Sequence, residues 1–334
     1  MDEPLGYALI SGCMFSQDHR GPNTELTPSK AGAALLHLAT AHRFNSRDLG
    51  IEALAMLSCI HDPLIHRHFS DSTYEDHSSS NSSCSVLEVL NNIATDHRFL
   101  DMSPTSATDI LQKRESGIID HCGSCALISS ASPSPAELQE ALRQAQIAGA
   151  VLALRYAMAN FAGEPTSADL LIPLLTSDAL RVLLPSMPAR FVLPLLRQWL
   201  LLTILTYIQS GRPRLDMSKL TYYLPWHTPT PAQVWKNVVH DTLSAITSSP
   251  NRSGERLAQA VLALKTAEDT WGGDVGAVDL GHGPETAESQ TQQELDHVEE
   301  IGQHWWLKAA MALTGNRLKK DSGNDGTSGP VGAV

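Results

Sequence analysis

The chain has 334 residues, with 24 basic against 36 acidic side chains, a formal net charge of −12 and 42 % hydrophobic residues. That composition buries a sizeable core without staples, and it lacks the basic face a nucleic-acid partner demands. Five cysteines, an odd number in a long chain, do not make a secreted disulfide framework.

The opening segment MDEPLGYALISG places two acids first and breaks at Gly6 and Gly12, which is not a charged-then-apolar leader, so the expected compartment is cytoplasmic and reducing. Asn45 is placed to cap a helix containing Ile51, Leu54 and Leu57. Ser85-Val86-Leu87-Glu88 reads as a capping box ahead of Leu90 and Ile93, and a helical stretch follows from Asp109 to Asp120. Ser134-Pro135-Ala136-Glu137 is a second capping box with proline at the first helical position, heading a helix through Leu138, Leu142 and Ala145 towards Met158.

The most apolar stretch runs from Phe191 to Ile208. Pro194, Arg197 and Gln198 interrupt it, so it reads as a buried core helix and not as a membrane span of about twenty apolar residues. Thr230-Pro231 opens another helix, and Gly211 and Gly272 sit where helices ending at Ile208 and Trp271 want a left-handed residue. Strand signals are nearly absent. The expected fold is all-α, an irregular multi-helix bundle of about eight to ten helices with little or no sheet. A single domain is expected over 1–320, with polar loops near 70–85 and 272–290 and a disordered tail at 321–334.

Cofactor fingerprints are missing: there is no Gly-x-Gly-x-x-Gly, no Gly-x-x-x-x-Gly-Lys-Ser/Thr and no Gly-x-Ser-x-Gly. Cys122 and Cys125 form one Cys-x-x-Cys, open to a structural, a redox or a metal reading; a zinc site would need a second pair. Histidines number 14, and His37, His42, His61, His66 and His68 crowd one region. His37 lies on the apolar run AALLHLATA, where a satisfied core histidine and a functional one are both open readings. His61-Asp62-Pro63 looks like a helix end followed by a cap. Glu294 and His297 give a single Glu-x-x-His, short of the two pairs a di-metal bundle needs, so no metal is expected. Trp305-Trp306 and Tyr222-Tyr223 each direct one ring inward, either into the core or onto a flat aromatic ligand.

The order of several segments extends this reading. AALLHLATAHRFNSRDLGIEALAMLSCIHD, then SVLEVLNNIATDHRFLDM, ATDILQKRESGIIDHC, DLLIPLLTSDALRVLLP, LLRQWLLLTILTYIQSGRPRLD, WKNVVHDTLSAI with RLAQAVLALKTAEDTWG, and WWLKAAMALTG resemble, in the same order, the questin oxidase-like family of fungal proteins. The resemblance runs from Ala31 to Gly315. It implies an NADPH-dependent Baeyer–Villiger-type oxidase that uses dioxygen to insert oxygen beside a carbonyl of an aromatic polyketide, such as an anthraquinone, and opens its ring.

By the same resemblance His37, His61 and Asp62 are the catalytic candidates, and Thr176, Ser177, Tyr222 and Tyr223 the substrate-binding ones. The chain departs from the family at three points. Pro173 stands where a histidine is usual, Arg43 replaces a glutamate, and the N-terminal histidine-rich segment is represented only by His19. Those departures support an alternative reading: a shortened, non-catalytic relative that binds a polyketide or a pathway enzyme.

Overall fold

The computed structural model describes residues 32–58, 84–100, 106–125, 127, 133–164, 166–215, 230–248, 252–273, 275 and 304–315. Among these residues there are ten α-helices and no strand. They are α1 (Ala33–Arg43), α2 (Arg47–Ser58), α3 (Val86–Thr95), α4 (Ala107–Ser124), α5 (Pro135–Ala162), α6 (Ile172–Leu183), α7 (Val192–Gln209), α8 (Pro231–Ser248), α9 (Arg252–Trp271) and α10 (Trp305–Thr314). The expected all-α bundle is therefore the observed one. Of the expected loop at 70–85, residues 70–83 lie outside the described residues, as do most of the loop at 272–290 and the tail at 321–334.

Both capping boxes form. The Ser85 hydroxyl accepts from the Glu88 N–H at 3.3 Å while the Glu88 carboxylate accepts from the Ser85 N–H at 2.6 Å. Ser134 and Glu137 repeat the exchange at 3.2 and 2.7 Å, with Pro135 opening the helix. The cap of α2 is a correction. Ser46, not Asn45, holds the position: its hydroxyl accepts from the Leu49 N–H at 3.4 Å. Asn45 takes the left-handed turn before it, φ 48°, a conformation asparagine tolerates well.

α5 and α6 form the centre and pack along each other. Gly149 makes this approach possible, because a Cβ there would lie 2.6 and 2.7 Å from the Leu174 backbone. α1 of the α1–α2 hairpin covers α6 on one side, while α9 packs on both α5 and α6 and α10 on α5, with α8 laid over α9 and α10. α7 is buried almost end to end between α4 and α6. It is the one described helix long and apolar enough to cross a membrane, and 83 % of its most apolar window is buried within the bundle, as a core helix requires. Its Trp199 is fully buried and donates its indole N–H to the Pro173 carbonyl at 3.0 Å, which ties α7 to the first turn of α6.

α3 is held at both ends by the last turn of α4. At its start the Cys84 N–H donates to the Ser124 carbonyl at 3.1 Å, in an isolated parallel bridge between Cys84 and Cys125. At its end Asp96 meets His121.

Candidate functional site

His37 is exposed. The buried face of α1 is made by Ala34, Leu35, Ala39 and Ala41, and His37 lies off that arc, so the core reading of this histidine does not hold. Thr176 and Ser177 are fully buried on α6. Their hydroxyls donate within their own helix, Thr176 to Ile172 at 2.8 Å and Ser177 to Leu174 at 2.8 Å. The Thr176 methyl packs under Gly32, whose left-handed backbone (φ 77°) starts α1; a Cβ at Gly32 would come within 2.5 Å of it. His61, Asp62, Tyr222 and Tyr223 lie outside the described residues. Among the described candidates, the structure does not bring His37 together with Thr176 and Ser177: one is on the outer flank of α1 and the others face the core.

A groove of about 220 Å³ opens where the end of α1, the start of α2 and the end of α6 meet. His42 lines it, with its Nε2 3.3 Å from the Ser186 hydroxyl, and Arg47, Asn45 and Met187 complete the rim. On α6, Asp178, 5 % exposed, is held between two guanidinium groups, Arg43 across the helices and Arg181 at 3.0 Å. Arg43 thus serves as the counter-charge of a buried carboxylate, which gives its presence a structural cause.

A second polar assembly lies along a half-buried flank of α9, beside α5, α8 and α10. Its members connect through contacts along one face of α9. Trp271 donates its indole N–H to the Gln146 side-chain carbonyl on α5. Glu268, one turn earlier, faces Trp235 of α8, whose ring also carries the Lys265 ammonium 5.5 Å from its centroid. Trp305 begins α10 by donating its backbone N–H to Gly273 at 2.9 Å, just past the end of α9.

Trp305, Trp306 and Gln146 are fully buried, and Trp235 nearly so. The indole N–H groups of Trp235, Trp305 and Trp306 and the Gln146 side-chain amide N–H₂ have no hydrogen-bond partner, and neither does one Glu268 oxygen. Trp235 is close enough to Glu268 to favour its charged form, but not at bonding geometry. Burial is the larger influence and pushes the Glu268 carboxyl above its ordinary range. Trp235 and Trp271 thus flank Glu268, a carboxyl inclined to hold its proton, along one face of α9, and the neighbouring α10 adds two fully buried indoles, Trp305 and Trp306, whose N–H groups have no partner.

The third assembly is structural in form. Asp96 caps the turn His97–Phe99, accepting from the Arg98 backbone at 2.8 Å, and pairs with the Arg98 guanidinium at 2.8 Å and with His121 Nε2 at 2.9 Å. Arg98 continues to Asp120 at 2.6 Å. The Arg98 guanidinium, first among several groups, holds the Asp96 carboxyl well below the usual carboxylate range.

Cys122 and Cys125 end α4 instead of beginning a helix. Cys122 is buried, and burial pushes the Cys125 thiol up to about 12. The negative end of the helix dipole also opposes a thiolate there, so the thioredoxin-like arrangement is not present. Among the described residues no group of three or more His, Cys, Asp and Glu could hold a metal ion.

The segments that lead into and out of these assemblies match a known family profile, questin oxidase-like, over residues 12–261, well over half of the chain. The chain belongs to the questin oxidase-like family. No curated protein matches it significantly. At the family level this makes it an oxidoreductase of polyketide metabolism. The match contains the groove, the Asp96 node and two seam residues, Gln146 and Trp235; Glu268, Trp271, Trp305 and Trp306 follow it in the chain. The sequence pairs Trp305 with Trp306 but carries no sign of Gln146, Trp235 and Glu268 as neighbours. These residues carry no spacing signal, since they come from separate helices.

Proposed function

We propose that this questin oxidase-like chain catalyses a Baeyer–Villiger-type oxidation of an aromatic polyketide, with dioxygen as oxidant and NADPH as reductant. The observation that supports this reading is the seam of partnerless donors among tryptophan rings. Planar rings favour stacking with a quinone-like ring system. A buried N–H without a partner costs about 1–3 kcal/mol, and a carbonyl-bearing ligand relieves that cost.

In the proposed reaction, addition of an oxygen nucleophile to a substrate carbonyl turns the carbonyl oxygen into an oxyanion. Pre-placed indole and amide N–H groups stabilise that charge. The C–C bond beside the carbonyl then breaks as a C–O bond forms, and the O–O bond cleaves. The distal oxygen leaves as water, balanced by two electrons from the reductant and two protons. Glu268, with its carboxyl pushed upward by burial, is the group that gives and takes one of those protons.

The alternative, a binding protein without turnover, has one observation behind it. Pro173 stands at the position where family members have a histidine, and its carbonyl is engaged by Trp199. Oxygen uptake and product mass, measured with NADPH and a panel of hydroxylated anthraquinones, separate the two. A product heavier by one oxygen, strongly reduced in Glu268→Gln and preserved in His37→Ala and His42→Gln, supports the seam as the site. Turnover that is lost in His37→Ala or His42→Gln and kept in Glu268→Gln moves the chemistry to α1. Binding without oxygen uptake in any variant favours the binding protein.

A further inference from the structure

The bridge between Cys84 and Cys125 carries a consequence independent of the polyketide reaction. Both residues are half-buried, and their thiols are unbonded to each other. They face one another directly across a parallel bridge, with the Cys84 N–H donating to the Ser124 carbonyl. Backbones in such a pairing run about 4.7–4.9 Å apart, within the roughly 4.4–6.8 Å separation of Cα atoms that a disulfide spans, and facing partners project their side chains to the same side. Cys122, the sequence neighbour that completes Cys-x-x-Cys, is instead buried against the core. The sequence motif thus points to one partner for Cys125 and the fold supplies another.

We propose that Cys84 and Cys125 are a redox modification site, forming an intramolecular disulfide that staples the start of α3 to the end of α4. The oxidant is a low-molecular-weight disulfide such as oxidised glutathione. The Cys84 thiolate attacks one sulfur of the oxidant, forming a mixed disulfide and releasing one reduced thiol. The Cys125 thiol then loses its proton and attacks the Cys84 sulfur, releasing the second. Two thiols are oxidised, one disulfide is reduced to two thiols, and the protein loses two hydrogens.

Neither sulfur is a primed nucleophile. Burial raises both thiols above their ordinary value, so the staple forms under sustained oxidation and not as a rapid response. Once formed, it closes the loop that contains α3, Asp96 and α4. It covalently ties the end of α3 opposite the Asp96–His121 contact, and restriction of the unfolded chain stabilises the fold.

The test uses the full-length protein incubated with oxidised glutathione and then digested without reduction. The expected result is a peptide pair linked through Cys84 and Cys125, with a thermal midpoint several degrees higher that dithiothreitol reverses. The link should persist in Cys122→Ser and vanish in Cys84→Ser, whereas Cys125→Ser should arrest as a glutathione adduct on Cys84. A link between Cys122 and Cys125, a glutathione adduct on Cys84 that persists in the wild type, or the absence of any mass change would each overturn the proposal.

Discussion

Asp96 shows how one side chain can fix a supersecondary unit. It caps a short turn, binds the Arg98 guanidinium and receives His121 from α4, so its removal leaves an arginine and a histidine without their common partner. Asp96→Asn keeps the size and loses the charge, and should destabilise the fold by about 2 kcal/mol at neutral pH, since Arg98 retains Asp120 and partial solvent. The carboxyl is depressed below its unfolded value of about 3.9, so its contribution is complete above that value and fades as pH falls through the folded one. Urea unfolding at pH 7 and at pH 2 should show the mutant's deficit shrinking in acid; an equal deficit at both would exclude the charge as its source. The motif Asp96-His97-Arg98-Phe99 was legible as a family element, but His121 was not, because only the return of α4 brings it to Asp96. His37 is the opposite case, local in sequence yet placed only by the helix face. The apolar run left burial and function both open for it, and the helix turns Ala34, Leu35, Ala39 and Ala41 to the core while His37 stays on the solvent flank of α1.

Glycines show what the elements require of each other. At the α5–α6 crossing, Gly149 faces backbone atoms of Leu174 that cannot retreat without shifting the helix. Gly149→Ala should therefore cost about 1–3 kcal/mol despite the better helix propensity of alanine. Gly50, inside α2, presents the opposite case: a Cβ there would meet only the Ala41 Cβ, at 3.9 Å. Gly50→Ala should stabilise by about 0.5–1 kcal/mol. Chemical denaturation of the two variants side by side tests the packing directly, and a Gly149→Ala protein as stable as wild type would refute the close crossing.

Helix starts with side-chain caps, such as Ser85 and Ser134, were readable because their signal is local. The start of α10 was not: His304 takes a left-handed φ of 50° without a side-chain cap, and the Trp305 N–H is satisfied by Gly273, far away in sequence. The kink at Arg114 in α4 (φ −133°) carries no proline and left no trace in the sequence either.

At the scale of the whole molecule, the all-α core follows from hydrophobic periodicity and caps, whereas the seam arises only when four helices assemble. Its cost is visible in two ways. The first is pH dependence. Because burial raises the Glu268 carboxyl, the native state holds a proton that the unfolded chain has released, so stability declines as pH rises from about 4.3 through the folded value. Glu268→Gln removes that decline, so its thermal midpoint should gain on wild type as pH rises from about 4.3 and level off once the folded value is passed; parallel curves would show that the carboxyl is not desolvated.

The second is response to ligand. If the proposed function holds, a planar carbonyl compound that engages the unpartnered buried donors binds the native state and not the unfolded chain. A hydroxylated anthraquinone at about one hundred times its dissociation constant should stabilise the chain by about 2.7 kcal/mol, read as a concentration-dependent rise in thermal midpoint. Trp306→Phe keeps an aromatic ring and deletes one donor. Its affinity should fall by about tenfold, the equivalent of one hydrogen bond, and its ligand-induced shift at a fixed concentration should shrink accordingly. An unchanged affinity, alongside an intact fold, would detach the ligand from this seam and return the search to the groove beside His42.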